Sequence, residues 1–196
     1  MSDGIRFYYS FRSPYAWLAM ERLDSELGGL GVEVESIPIF PTPENVPNDP
    51  SRMEQKVAYL VQDVRRLARE QGLQVAFPRV PDCDWSLSHA AALGASRNGR
   101  ALPLILELFR QRFVDGNDLG QDAVIAAAAE LAGFDPSTAV GFAHSRSLRD
   151  EVRAGWDRGI ERDGIFGVPS FVFNDKLYWG QDRMHFLRSA VERKTA

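Results

Sequence analysis

Two Xaa-Pro pairs far apart in the chain hold the residues best placed for chemistry. Ser13-Pro14 follows the apolar run Ile5-Arg6-Phe7-Tyr8-Tyr9 and opens an amphipathic stretch. That order puts a hydroxyl at a helix N-cap and proline at the first helical position, where its missing N–H costs nothing. A hydroxyl at the positive end of a helix can donate to an anion. Val168-Pro169 precedes a strand, Ser170–Phe173, with Asn174-Asp175 as a turn and Lys176–Trp179 as the paired strand. Asp182 then opens the last helix, where its carboxylate either caps the helix or binds a cation. Each pair also has a plain structural reading. Serine before proline commonly caps a helix, and proline before a strand donates no ladder hydrogen bond.

Other chemistries find little support. His89, His144 and His185 show no metal-ligand spacing, so no metal site is predicted. His89 lies just past an N-cap expected near Trp85-Ser86 and reads as a surface or core-edge imidazole, with a cavity-facing position as the alternative. There is no Gly-x-Gly-x-x-Gly, no Walker loop and no nucleophile elbow around Ser13. Cys83 is the single cysteine, which excludes an intrachain disulfide and dithiol catalysis and fits a reducing compartment. Asp82 and Asp84 beside it raise rather than lower its pKa.

The elements that must position these residues follow from periodicity. Ile5–Tyr9 and Val32–Ile39 read as strands around a helix from Pro14 to Gly28. The segment 40–50 is a proline-rich loop. Helices are expected near 51–71, 86–97, 101–115, 120–132, 136–143 and 147–163, and a last one from Asp182 to Arg193. In the first of these, Lys56, Tyr59, Asp63 and Arg66 share a narrow arc beside the apolar arc of Met53, Val57, Leu60, Val64 and Leu67. Asp63 and Arg66 read as a solvated face. A chain of 196 residues with 44% hydrophobic content can bury a full core. A net charge of −4 with dispersed Lys and Arg argues against nucleic acid as a partner. No run is apolar and long enough for a membrane span, and no leader is recognisable, so a cytoplasmic protein is expected.

Taken together, these segments resemble a known family. In thioredoxin-like proteins of the DsbA type the first strand-to-helix junction carries Cys-x-x-Cys, and here Ser13 and Ala16 stand in the two cysteine places. Ser13-Pro14, the segment Gly164-Ile165-Phe166-Gly167-Val168-Pro169-Ser170-Phe171 running on to Trp179-Gly180-Gln181-Asp182-Arg183, and Asn48-Asp49-Pro50 followed by Lys56, Tyr59, Asp63 and Arg66 resemble the 2-hydroxychromene-2-carboxylate isomerase family. These are relatives of the kappa-class glutathione transferases, and the resemblance covers nearly the whole chain. It implies an α/β fold: a DsbA-type thioredoxin-like domain from 1–50 and 164–196, with an all-helical insertion at 51–163.

The resemblance also implies glutathione as cofactor. Ser13 would stabilise its thiolate, the Val168 backbone would pair with the cysteinyl part, Gln181 and Asp182 would hold the γ-glutamyl end, and Asn48 and Lys56 would add contacts. The reaction implied interconverts a cyclic hemiketal and a trans-benzylidenepyruvate. A kappa-like glutathione transferase and a non-catalytic thiol-peptide binder are the alternatives. A homodimer and a small aromatic or electrophilic substrate are implied as well. The substrate pocket would lie between the two halves, walled by Phe11, Tyr15, Phe40 and Trp85, with Lys56 or Arg12 on a carboxylate. Arg12 departs from the small or apolar residue expected before Ser-Pro, which leaves the substrate open.

Overall fold

The apolar run at the start of the chain becomes β1 (Ile5–Tyr9), and all five of its residues are buried. The structure, a computed structural model, describes residues 4–41, 53–78, 82–99 and 101–195. β2 (Val34–Pro38) lies parallel to β1, with Ile5 opposite Val34 and Tyr9 opposite Pro38. A parallel pair needs a crossover, and α1 (Pro14–Glu21) with α2 (Leu23–Leu27) supplies it. On the other side β3 (Ser170–Phe173) runs antiparallel to β1, and β4 (Lys176–Trp179) completes the order β2-β1-β3-β4. The β3–β4 hairpin turns on Asn174 and Asp175. Their φ values of 49° and 58° are those a type I′ turn asks of its central residues.

Between β2 and β3 the chain is helical: α3 (Glu54–Glu70), α4 (Trp85–Ser96), α5 (Ala101–Phe113), α6 (Asp122–Leu131), α7 (Pro136–His144), α8 (Arg146–Arg153) and α9 (Gly155–Asp163). After β4 a 3-10 turn, Gln181–Arg183, leads into α10 (Met184–Thr195). The fold is α/β: a thioredoxin-like sheet with a large helical insertion. Two expected helices are divided. The one from Pro14 to Gly28 breaks at Arg22, and the one at 147–163 breaks at Ala154. Close approach explains the second break: a Cβ on Gly155 would sit 3.0 Å from Ile39 Cγ2 and 3.3 Å from the Pro38 carbonyl oxygen. The chain bends there to cross the end of β2.

The two faces of the sheet are built differently. On one, Phe7 stacks on its cross-strand partner Phe171 at 4.7 Å, and Tyr9 and Phe11 both meet Phe109 of α5. Trp17 of α1 stacks on Phe113, so the apolar core runs without a break from the sheet into the helices. On the other face Tyr8, Ile39, Trp156, Ile165 and Val172 form a smaller cluster. There Arg6 grips the Asp163 carboxylate with two bonds of 2.6 and 2.8 Å, and the Tyr8 hydroxyl donates to it as well. Burial alone would raise the Asp163 pKa, but the bonds from Arg6 and Tyr8 outweigh it and hold the carboxyl below its ordinary value.

α4 is buried nearly all round. Its run of Ala90, Ala91, Ala92, Gly94 and Ala95 lets α7 come close, and a Cβ on Gly94 would lie 2.3 Å from the Phe142 ring. α3 is the opposite case. Among its apolar arc Val64 is buried and Leu60 and Leu67 are half-buried, while Val57, and Met53 just before the helix, are exposed.

Candidate active site

β1 delivers the chain into a four-residue turn, closed by the Ser13 N–H donating to the Ser10 carbonyl at 2.9 Å. Ser13 is the N-cap of α1, with φ −95° and ψ 111°, and its Oγ accepts the Ala16 N–H at 3.2 Å. A hydroxyl that accepts one bond keeps its own hydrogen to donate. The Tyr15 N–H, in the first turn, has no intrahelical acceptor by geometry, and no other partner is found for it among the described residues. Half-buried Ser13 thus offers an O–H beside an unclaimed N–H at the positive end of a helix.

Antiparallel register brings the second Xaa-Pro pair to the same end of the sheet. Tyr8 faces Ser170, so the segment leading into β3 runs alongside the segment leaving β1. The Val168-Pro169 bond is cis. The Gly180 N–H donates to the Pro169 carbonyl at 2.9 Å, which ties this loop to the 3-10 turn carrying Gln181 and Asp182. Among the described residues neither the N–H nor the C=O of half-buried Val168 meets a hydrogen-bond partner. Phe166 and Trp179 pack together beside it at 5.0 Å, each about half exposed.

Gln181 is buried, and its side-chain oxygen accepts from Arg22, between α1 and α2, at 3.0 Å. The resemblance assigns Gln181 to the cofactor, and the Arg22 bond engages only its side-chain oxygen. The Asp182 carboxylate is exposed and pairs with Arg183 at 2.9 Å. A cavity of about 400 Å³ opens next to it, lined by Arg22, Leu67, Glu70, Gln71, Gln181 and Asp182. Within this lining the Gln71 Oε1 is buried and has no hydrogen-bond partner among the described residues.

α3 joins the site through Asp63, which is not the solvated residue its helix position suggests. Its carboxylate accepts the Tyr15 hydroxyl at 2.8 Å, and the Tyr59 hydroxyl approaches at 3.4 Å. Burial, then the bond to Asp63, raises the Tyr15 pKa, and Asp182 adds to the effect from nearby. Arg66 is exposed, 4.0 Å from Asp63. Lys56 lies half-buried in the first turn of α3. Asn48 lies outside the described residues.

Of the expected aromatic walls, Phe11 and Phe40 meet at His89, and Tyr15 stands apart. Phe11 and Trp85 belong to the core, the first against Tyr9, His89 and Phe109, the second under the Arg112 guanidinium at 4.5 Å. Tyr15 stays at the α1–α3 contact, and Phe40 stacks on His89 at 5.4 Å. His89 itself is fully buried, contrary to the surface or core-edge position expected. One signal pointed there: its helix is made of small residues on every side, the pattern of a buried helix. Burial pushes the Cys83 thiol up to about 12, and Asp118 rather than its sequence neighbours adds to the rise. Among the described residues no three His, Cys, Asp or Glu side chains are grouped to hold a metal ion. No helix there is long and apolar enough to cross a membrane.

Known proteins carry the same plan. The 2-hydroxychromene-2-carboxylate isomerase of Sphingobium xenophagum is 28% identical over 195 residues, spanning 96% of this chain and 98% of the relative. That of Pseudomonas putida is also 28% identical, over 96% of this chain and 94% of its own. A solved 2-hydroxychromene-2-carboxylate isomerase superposes with a TM-score of 0.80 at 25% identity, covering 97% of this chain and 95% of that one. Residues 4–192 match the family model of the DSBA-like thioredoxin domain, and the chain belongs to that family.

Proposed function

We propose that this chain is a glutathione-dependent isomerase of the 2-hydroxychromene-2-carboxylate type, with Ser13 acting on the glutathione sulfur. The observation that carries the reading is the Ser13 hydroxyl, capping α1 with its own hydrogen available, in a chain similar over its full length to isomerases of that name. The site's open groups fit the tripeptide. The unpaired Val168 peptide suits an extended cysteinyl residue. The cavity beside Asp182 suits a zwitterionic γ-glutamyl end, with Asp182, Glu70 and the orphan Gln71 oxygen toward the ammonium and Arg22 toward the carboxylate.

A free thiol has a pKa of about 8.5, so only a few per cent is ionised at neutral pH. The Ser13 O–H and the N-terminus of α1 favour the anion, each charge-assisted contact contributing about 1–2 kcal/mol. Glutathione, when bound, supplies a sulfur nucleophile that adds to the substrate and later leaves, allowing rotation about a bond that is double in the trans-alkene. The Ser13 O–H and the N-terminus of α1 would hold the anion through donated hydrogen bonds alone. Burial and then the bond to Asp63 keep the Tyr15 hydroxyl protonated, with its hydrogen on Asp63. Turnover of 2-hydroxychromene-2-carboxylate with and without glutathione tests the proposal. Turnover that needs glutathione in catalytic amounts is expected. Turnover equally fast without it, or stoichiometric conjugation of an aryl halide in its place, contradicts it.

A further inference from the structure

One imidazole holds the β1–α1 turn from behind. His89 Nδ1 lies 2.6 Å from the Trp85 carbonyl, a group that only accepts, so Nδ1 carries the hydrogen. Nε2 lies 3.2 Å from the Phe11 nitrogen, whose N–H only donates, so Nε2 presents its lone pair. The Ser10 hydroxyl, 3.1 Å from the same Nε2, donates to it and accepts the Arg12 N–H at 3.4 Å. The chemistry of the partners thus fixes one neutral tautomer. The ring is clasped between Phe11 at 5.0 Å, edge-on, and Phe40 at 5.4 Å.

Among the described residues, every polar contact of this ring beyond its own helix goes to the turn that ends in Ser13. Phe11 N–H, Ser10 Oγ and the Ser10 carbonyl that receives the Ser13 N–H are consecutive anchors of that turn. A core-filling residue of equal size would occupy the space and leave the buried Phe11 N–H without an acceptor. We propose that His89 is a positioning residue for Ser13: as its Nδ1–H tautomer it pins the Ser10–Ser13 turn and so sets the direction of the Ser13 hydroxyl and the Tyr15 N–H. The pinning stands on the turn alone. Its catalytic consequence rests on the glutathione reading above, since small displacements of a positioned group are costly in rate.

Glutamine and asparagine at position 89 separate the roles of the two ring nitrogens. A glutamine oxygen reaches the place of Nε2 and can accept from Phe11, whereas asparagine matches only the Nδ1 side. Long-range nitrogen–proton correlation on the wild-type protein at pH 7 should show a protonated Nδ1 and a bare Nε2. Amide exchange at Phe11 should then be about tenfold faster or more in H89N and close to wild type in H89Q, with the amides of α5 changing less. With glutathione present, kcat should fall about tenfold in H89N while KM for glutathione stays nearly constant, and H89Q should restore kcat.

An Nε2–H tautomer or an imidazolium in the wild type would overturn the proposal, as would unchanged Phe11 exchange in H89N. Failure of the wild type to bind glutathione would remove the functional reading, and the tautomer and exchange results would still decide the pinning. Should both variants fail to fold, the wild-type tautomer decides: a protonated Nδ1 with a bare Nε2 supports the proposal and any other state contradicts it.

Discussion

The two strand ends that meet at the candidate site are held in opposite ways. The β1–α1 junction is wired from behind by neutral, buried groups, with His89, Ser10 and the Phe11 N–H satisfying one another. The Val168-Pro169 loop and the turn after it are held by the backbone bond from Gly180 to Pro169, the Ser170 hydroxyl on the Gly167 carbonyl and Arg22 on Gln181, and they present a peptide unpaired among the described residues and an exposed carboxylate. The difference separates tasks. A group that must act on an anion needs a fixed direction, and a neutral support gives it one without competing for the charge. A surface that must receive a peptide needs unclaimed donors and acceptors, which the second end keeps.

Acid should break the wired side first, and with the largest effect. Burial lowers the His89 pKa to about 4 against its ordinary 6.5, with the bond to the Trp85 carbonyl opposing it. The folded state therefore binds this proton less readily than the unfolded chain. Stability is full above pH 6.5 and falls as pH drops toward 4, by up to about 3 kcal/mol, the loss then levelling off. Asp163 works in a separate window. Its depressed pKa keeps its contribution intact above the ordinary carboxylate range and loses it as pH falls through the lower folded value. Urea midpoints between pH 7 and pH 4 should fall for the wild type and flatten for H89Q, and parallel curves for the two proteins would contradict the assignment.

Tyr15→Phe sharpens the comparison at a smaller cost. It removes the bond to Asp63 that joins α1 to α3, and a loss of about 1–2 kcal/mol is expected from chemical denaturation. Glutathione turnover should survive, because the hydroxyl lost is not the one acting on sulfur. Asp182→Ala, on the open side, should leave stability within about 0.5 kcal/mol. Glutathione affinity should nonetheless weaken by about tenfold in calorimetry, the value of one lost charge-assisted contact. An unchanged affinity would leave Asp182 as the exposed ion-pair partner of Arg183 only.

Much of this contrast was legible in the residues, and the remainder was hidden by distance along the chain. Ser13-Pro14 announces its cap locally, and Asn174-Asp175 its hairpin, because both signals lie within a few neighbours. His89 and Asp63 were misread for a common reason: their partners come from a turn 78 residues away and from a tyrosine 48 residues away. Periodicity ranks a face by its own helix and does not see what packs on it. The bond from Arg22 to Gln181 was hidden in the same way, by 159 residues of chain. The break at Arg22 has no Gly or Pro to mark it, and the one at Ala154 was marked locally only by Gly155, whose close approach to the end of β2 no neighbour in sequence reveals.

Titration of the thiolate absorbance of glutathione bound to wild type and to Ser13→Ala tests the central claim most directly. The substitution leaves α1, the Val168-Pro169 loop and Asp182 in place, so binding should persist. Losing a hydrogen bond to a charged sulfur, about 1.5–3 kcal/mol, should raise the bound thiol pKa by roughly one to two units. An equal pKa in the two complexes would contradict the account and leave Ser13 as the cap of a helix.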